Sequence, residues 1–170
     1  MDNIILLKKT KELEDLCISL GFTETLFLED LTLIEAKTNK DLQKKFSKFT
    51  IVKPVTEELL RFALEKSKVD LIYGMEFIHP KDSVHYVRGG LDQIMCKIAA
   101  GKGKIIGFSF SDVLHAKNQP KLLGRMRANL RLCKKYNVNV FFGNFSVKQE
   151  EIRSKKDLVA FLRTLKKIKK

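Results

Sequence analysis

Three histidines and the carboxylates near them are the residues with which this sequence could do metal or acid–base chemistry. His79 and His85 flank a short stretch containing Asp82, and His115 follows shortly after Asp112. A hydrolytic metal centre needs several such ligands converging at strand ends, commonly through His-x-His spacing. No His-x-His occurs, and turn or surface positions account for all three imidazoles. No metal ligand and no catalytic residue is therefore assigned; residual metal binding would fall on His79, His85 and His115. Ser109 and Ser111 stand close to His115, but no Gly-x-Ser-x-Gly elbow surrounds them. Gly101, Lys102, Gly103 and Lys104 run from a helix into a strand, the reverse of a phosphate-binding loop, and read as a basic turn. Cys17, Cys96 and Cys133 are odd in number, far apart and on apolar helix faces, which suits small buried hydrophobes rather than a disulfide or metal knuckle.

The basic residues point to different chemistry. Residues 1–85 carry 13 Lys and Arg against 15 Asp and Glu, a net −2, whereas residues 86–170 carry 20 against 5, a net +15. A surface serving only solubility would interleave carboxylates. So one-sided a field attracts a polyanion, with nucleic acid ahead of an anionic membrane surface. Candidate phosphate contacts are Arg88, Lys102 and Lys104 in one unit, Arg125, Arg127, Arg131 and Lys134 on one helix, and Arg153, Lys155 and Lys156 opening the next. Arg127, Arg131 and Lys134 fall within about 60° of arc on that helix, a basic ridge. Few exposed aromatics are expected, so phosphates rather than stacked bases would be contacted. No apolar run approaches the roughly 20 residues that span a bilayer, and the first nine residues make no secretory signal; a cytoplasmic location without a membrane partner is expected.

The elements that must position these cations alternate. Short apolar runs over 4–7, 25–28, 31–35, 50–52, 69–73, 105–110 and 138–142 read as strands. Helical periodicity appears over 13–20, over 39–49 with Leu42, Phe46 and Phe49 inward, and after Thr56 with Leu59, Leu60 and Ala63 inward. It returns over 84–98 with Val84, Val87, Leu91, Ile94, Met95 and Ile98 as the core stripe, over 118–136 with Leu122, Met126, Leu130 and Cys133, and at the C-terminus with Leu158, Phe161, Leu162, Leu165 and Ile168. Gly89 and Gly90 within the fourth helix imply either close packing or a late helix start. Arg163, Lys166, Lys167, Lys169 and Lys170 occupy the outer face of the last helix and its tail. Seven strands and six helices in βα order predict one α/β domain over 1–170, a doubly wound sheet or a (β/α) barrel. The repeat at 25–35 lacks a helix, so the N-terminal third is shortened.

From Val69 onward the chain resembles the archaeal ribonuclease P protein component 3 family, whose eukaryotic relative is the 30-kilodalton subunit of that enzyme. The likeness is carried by Val69-Asp70-Leu71-Ile72, Lys81-Asp82, Gly90-Leu91-Asp92-Gln93 and Gly107-Phe108-Ser109. It continues through Lys134-Lys135-Tyr136-Asn137-Val138, Ile152-Arg153-Ser154 and Asp157-Leu158. The chain departs from the family pattern at Gly143-Asn144-Phe145-Ser146, Ser111, Glu151 and Lys155. The resemblance implies a TIM-barrel-like fold akin to metal-dependent phosphoesterase barrels, with about seven parallel strands, used as an RNA-binding scaffold. It implies a subunit of the ribonucleoprotein that removes the 5′ leader of precursor tRNA by phosphodiester hydrolysis. The RNA, with Mg²⁺, would supply catalysis, this chain would hold no cofactor of its own, and a ferredoxin-like protein subunit would be its protein partner. The competing expectation is a metal-dependent phosphoesterase of the related barrel type.

Overall fold

The structure is a computed structural model that describes residues 1–44 and 46–167. In chain order it runs β1 (Asn3–Ile4), α1 (Lys11–Ser19), β2 (Thr25–Leu26), β3 (Leu31–Ile34), β4 (Phe49–Val52), α2 (Glu57–Glu65) and β5 (Leu71–Tyr73). It goes on through α3 (Gln93–Gly101), β6 (Ile105–Ser109), α4 (Phe110–His115), α5 (Gln119–Lys135), β7 (Asn139–Gly143) and α6 (Lys155–Lys167). Each long helix starts where a short polar side chain can take an orphan backbone N–H: Thr10 accepts from Leu13, Thr56 from Leu59, Asp92 from Met95 and Asn118 from Lys121. Such caps are worth about 1 kcal/mol each.

All strand pairs are parallel. β3-β4-β5-β6-β7 form one sheet in sequence order and β1-β2 a second. The two are sewn together beyond β7: Phe145 N–H donates to Ile4 O at 2.8 Å, Leu6 N–H donates to Ser146 O at 2.9 Å, and Ile5 bridges Ser146 in parallel. Asn144 reinforces the seam, its Nδ2 donating to Asn3 Oδ1 at 3.1 Å and its Oδ1 accepting from Arg153 N–H at 2.8 Å. Among the described residues no ladder joins β2 to β3, because the chain passes between them through a single turn, Leu28–Asp30, rather than a helix. The result is a shortened TIM-barrel-like fold, hydrogen-bonded round all but one junction. One apolar cluster draws on every strand: Ile4, Leu26, Leu31, Phe49, Ile51, Leu71, Tyr73, Ile105 and Phe141, with Phe145. This is the packed interior expected of such a barrel. Two outer clusters hold the helices against the strands, the larger containing Cys96 and Cys133 and the smaller Cys17, so all three cysteines are buried.

Three expectations are corrected. The helix over 39–49 is only the turn Asn39–Leu42. The Asp41 carboxylate gathers the N–H groups of Lys37 and Thr38 and the Thr38 hydroxyl at 2.9–3.2 Å, which winds the chain tightly instead of letting it propagate, and Phe49 belongs to β4. The helix over 84–98 begins only at Gln93. Val84 is 97% exposed and Val87 and Ile94 are half exposed, while Met95, Cys96 and Ala99 form the buried face. The glycine pair serves both purposes foreseen: Gly90 has φ +96°, outside any helix, and a Cβ on it would run into the Met75 carbonyl oxygen. Strand β6 stops at Ser109 because its hydroxyl caps α4, accepting from Asp112 N–H at 3.0 Å. Ile168, Lys169 and Lys170 lie outside the described residues.

Candidate nucleic-acid interface

The mouth of a (β/α) barrel, at the C-terminal ends of its strands, is where such folds hold substrates. Here Tyr73, ending β5, stacks on Phe145 with ring centroids 4.7 Å apart, and Phe141 meets Phe145 edge-on at 5.8 Å. Lys53 Nζ sits 5.3 Å over the Tyr73 ring and ion-pairs with Asp112 at 2.9 Å, bridging the ends of β4 and β6. Burial, with Asp112 and Glu35 nearby, pushes the Tyr73 hydroxyl far above its usual range, so it is a neutral packing group. The interior behind the mouth is filled by this aromatic stack under the ion pair, and a cavity of about 430 Å³ lined by Glu35, Lys37, Lys53, Gly74 and Phe77 lies beside it at the ends of β3, β4 and β5.

The groups offered for catalysis are dispersed. His79 and His115 do line one cavity of about 330 Å³. Each is held by its own carboxylate, His79 Nε2 at 3.4 Å from Glu57 and His115 Nε2 at 3.0 Å from Glu151. His85 is exposed in the loop before α3, Asp82 pairs with Arg125 and Asp112 with Lys53. Among the described residues no three His, Cys, Asp or Glu side chains converge. Ser111 is no nucleophile of a triad. Its hydroxyl donates to Glu151 Oε2 at 3.2 Å, and His115 Nδ1 lies nearer the Ser111 carbonyl (2.9 Å) than the Ser111 Oγ (3.4 Å), so the hydroxyl is directed to the carboxylate rather than to the imidazole.

Two of the ten candidate cations are used inside the fold. Lys104, 9% exposed, donates from Nζ to Ser67 O at 2.9 Å and Val69 O at 2.6 Å, closing the end of α2 onto the start of β5; burial holds its pKa below the usual lysine value. Arg125 is 4% exposed. Its Nη1 donates to Glu76 O and His79 O, each at 2.6 Å, and its Nε to Asp82 at 2.8 Å, tying α5 to the loop after β5. Both count in the net charge yet neither presents it to solvent. The reason is register: Arg125 lies three residues after Leu122 and four before Asn129, on the inward face of α5.

The remaining eight fall in four places. Arg88 lies in the loop before α3 with its guanidinium 5.8 Å from the Tyr86 ring, and Lys102 is exposed in the turn before β6. Arg153, Lys155 and Lys156 gather at the start of α6, where Arg153 donates to Glu150 O and Lys155 pairs with Asp2 at 2.6 Å. Although burial opposes it, that ammonium and the N–H groups of Thr23 and Glu24 hold the Asp2 carboxyl well below the usual carboxylate range. Arg127, Arg131 and Lys134 form the ridge foreseen on α5 and edge a groove of about 400 Å³ closed on its other side by Lys166 of α6. The groove and the start of α6 lie at opposite ends of that helix, roughly 16 Å apart at 1.5 Å per residue, and the exposed Lys156 and Arg163 mark its outer face between them. α5 contains no Asp or Glu and α6 only Asp157. The sequence assigns no role to Lys53 or Asn144, whose roles are visible only once strand ends are neighbours.

No family model matches the chain. It is 31% identical over 113 residues to ribonuclease P protein component 3 of Methanosarcina mazei, covering 65% of this chain and 44% of that protein. It is 27% identical over 140 residues to ribonuclease P protein component 3 of Methanocaldococcus jannaschii, covering 78% and 57%. The chain thus spans about half the length of the curated relatives it matches. Among solved structures, a chain of an archaeal ribonuclease P with mature tRNA, determined by cryo-EM, superposes with a TM-score of 0.68 at 18% identity, covering 98% of this chain and 83% of that one. The resemblance drawn from the residues after Val69 is therefore a real similarity to ribonuclease P protein component 3, and the barrel-like fold is shared along nearly the whole chain.

Proposed function

We propose that this chain is a protein subunit of an archaeal-type ribonuclease P, acting in the cytoplasm on the maturation of tRNA. Its part is to bind and stabilise the catalytic RNA through the α5–α6 flank, neutralising phosphates where strands pack closely and so lowering the Mg²⁺ the RNA requires. Removal of the 5′ leader of precursor tRNA is left to that RNA, and a ferredoxin-like protein subunit is its protein partner. Arg127, Arg131 and Lys134, with Arg153, Lys155 and Lys156, are the proposed phosphate contacts; Arg88 and Lys102 contribute from neighbouring turns. The observation that carries the reading is a flank of two helices carrying many cations and one carboxylate, on a chain similar to proteins named for that enzyme. Phosphate contacts of this kind fix register and make binding salt-dependent.

The test is cleavage of precursor tRNA by the cognate ribonuclease P RNA at low Mg²⁺, with the partner subunit present and this chain added or omitted. Adding it is expected to restore cleavage, and the folded triple variant Arg127→Ala, Arg131→Ala, Arg153→Ala to lose that rescue. No rescue by a folded wild-type chain sinks the proposal.

A further inference from the structure

The groove between α5 and α6 has a feature that phosphate binding does not use. Its floor is aliphatic: Val140 of β7, half-buried, with Leu130 of α5 and Val138 just before β7, both buried. Its rim is cationic, with Arg127, Arg131 and Lys134 on one side and Lys166 on the other, and among the described residues no Asp or Glu lines it. A regular duplex laid across such a rim satisfies the cations through its backbone and leaves the apolar floor wet. An unpaired nucleotide turned out of its stack brings to the same place a flat, weakly polar base and the two phosphates that flank it. The volume, about 400 Å³, lies in the ~300–1,000 Å³ range of pockets that enclose small ligands. Guanidinium planes are among the surfaces on which splayed bases stack in RNA recognition, so the scarcity of exposed aromatics does not forbid a base here. Exposed cations continue beyond the groove along α6, at Arg163 and Lys156, as an extended phosphodiester strand requires.

We propose that this groove takes a single extruded nucleotide of an RNA, the base against Leu130, Val138 and Val140 and the flanking phosphates on the basic rim. The inference deepens the RNA-binding reading above and rests on it. It adds a preference for an irregularity in the RNA, a bulge, over continuous duplex.

The test uses the full chain and three fluorescently labelled RNA hairpins of one sequence: fully paired, with one bulged uridine, and with an abasic site at the bulge. Affinities are measured by anisotropy at a salt concentration where the paired hairpin still binds. The expected result is about tenfold tighter binding of the bulged hairpin than of either other, equivalent to about 1.4 kcal/mol. Filling the groove by Val140→Phe should bring the ratio of bulged to paired affinity to one. Because Val140 lies in a strand, Lys166→Ala on the exposed rim serves as the second variant and should also lower the ratio. Equal binding of all three hairpins overturns the groove proposal while leaving the RNA-binding reading standing. A preference that survives the abasic substitution or Val140→Phe also overturns it, since the bulge is then read as shape or at another place. Displacement of the hairpins by an acidic amphipathic peptide, with no bulge preference, overturns it in favour of a protein partner. Failure to bind any hairpin removes the RNA-binding reading itself.

Discussion

Glu76 is the side chain whose position is hardest to reconcile with its charge. It is fully buried after β5, with Asn129 Nδ2 donating to its Oε1 at 2.9 Å. Burial pushes its carboxyl up to about 7, against the partly compensating hydrogen bond from Asn129. The folded protein therefore holds a proton that the unfolded chain releases between about pH 4.5 and 7, so this group makes stability fall as pH rises through that window and level off above it. The loss is about 3 kcal/mol at 1.36 kcal/mol per pK unit. Glu76→Gln keeps an acceptor for Asn129 and removes the charge. In urea denaturation it should be close to wild type at pH 4.5 and more stable at pH 8, and parallel pH profiles would contradict this account. Arg125, which anchors the same loop, invites a second comparison. Its removal leaves the Glu76 and His79 carbonyls without their donor and Asp82 without its ion-pair partner, so Arg125→Ala should cost about 3 kcal/mol in urea denaturation. Helix periodicity carried the signal that Arg125 points inward; counting charge without assigning faces concealed it. No pattern in the sequence marks Glu76, because its burial depends on α5 closing over the loop after β5.

At the scale of elements, the alternation of apolar runs located all seven strands, because a strand buried on both faces is a run that needs no knowledge of its neighbours. Helices were legible where a cap and an apolar stripe agreed, as at Thr56 and Asn118, although Asn39 ahead of Leu42 and Phe46 offered the same agreement and yielded only a turn. The stretch 84–98 has the stripe but is interrupted by Gly89 and Gly90, and its cap, Asp92, lies eight residues into it. The segment before that cap is instead held by tertiary contacts: Arg88 N–H donates to Asp82 at 3.0 Å, and Asn129 Nδ2 donates to Gly89 O at 2.7 Å. Gly90 is the hinge of this arrangement, and its left-handed backbone disfavours any side chain by about 1–2 kcal/mol before contacts are counted. Gly90→Ala adds a clash with the Met75 carbonyl, so its destabilisation in chemical denaturation should exceed 2 kcal/mol. A cost near that of an ordinary helical Gly→Ala change, about 1 kcal/mol in the stabilising direction, would mean that this loop does not pack on Met75.

At the scale of the whole molecule, the charge asymmetry between the two halves of the sequence becomes a spatial one, since α5 and α6, both from the second half, pack side by side against β7. What the sequence could not disclose is which cations face outward and how the two sheets join. That junction depends on the β1 seam made by Asn144, Phe145 and Ser146. The partition of cations has a measurable consequence. Each phosphate neutralised on an RNA contributes about 0.7–0.9 to the slope of log affinity against log salt. Replacing Arg127, Lys134 and Lys156 by Ala should therefore flatten the slope for the paired hairpin by about 2. Arg125→Lys or Lys104→Met, made where the cations serve the interior, should change stability and leave the slope as it is. Net charge falls by three in the first variant and by one or none in the others, so Lys68→Ala, Lys97→Ala and Lys117→Ala together, all outside α5 and α6, provide the control for charge alone. If that control flattens the slope as much as the α5–α6 variant, RNA is held by the diffuse field of the molecule rather than by one flank.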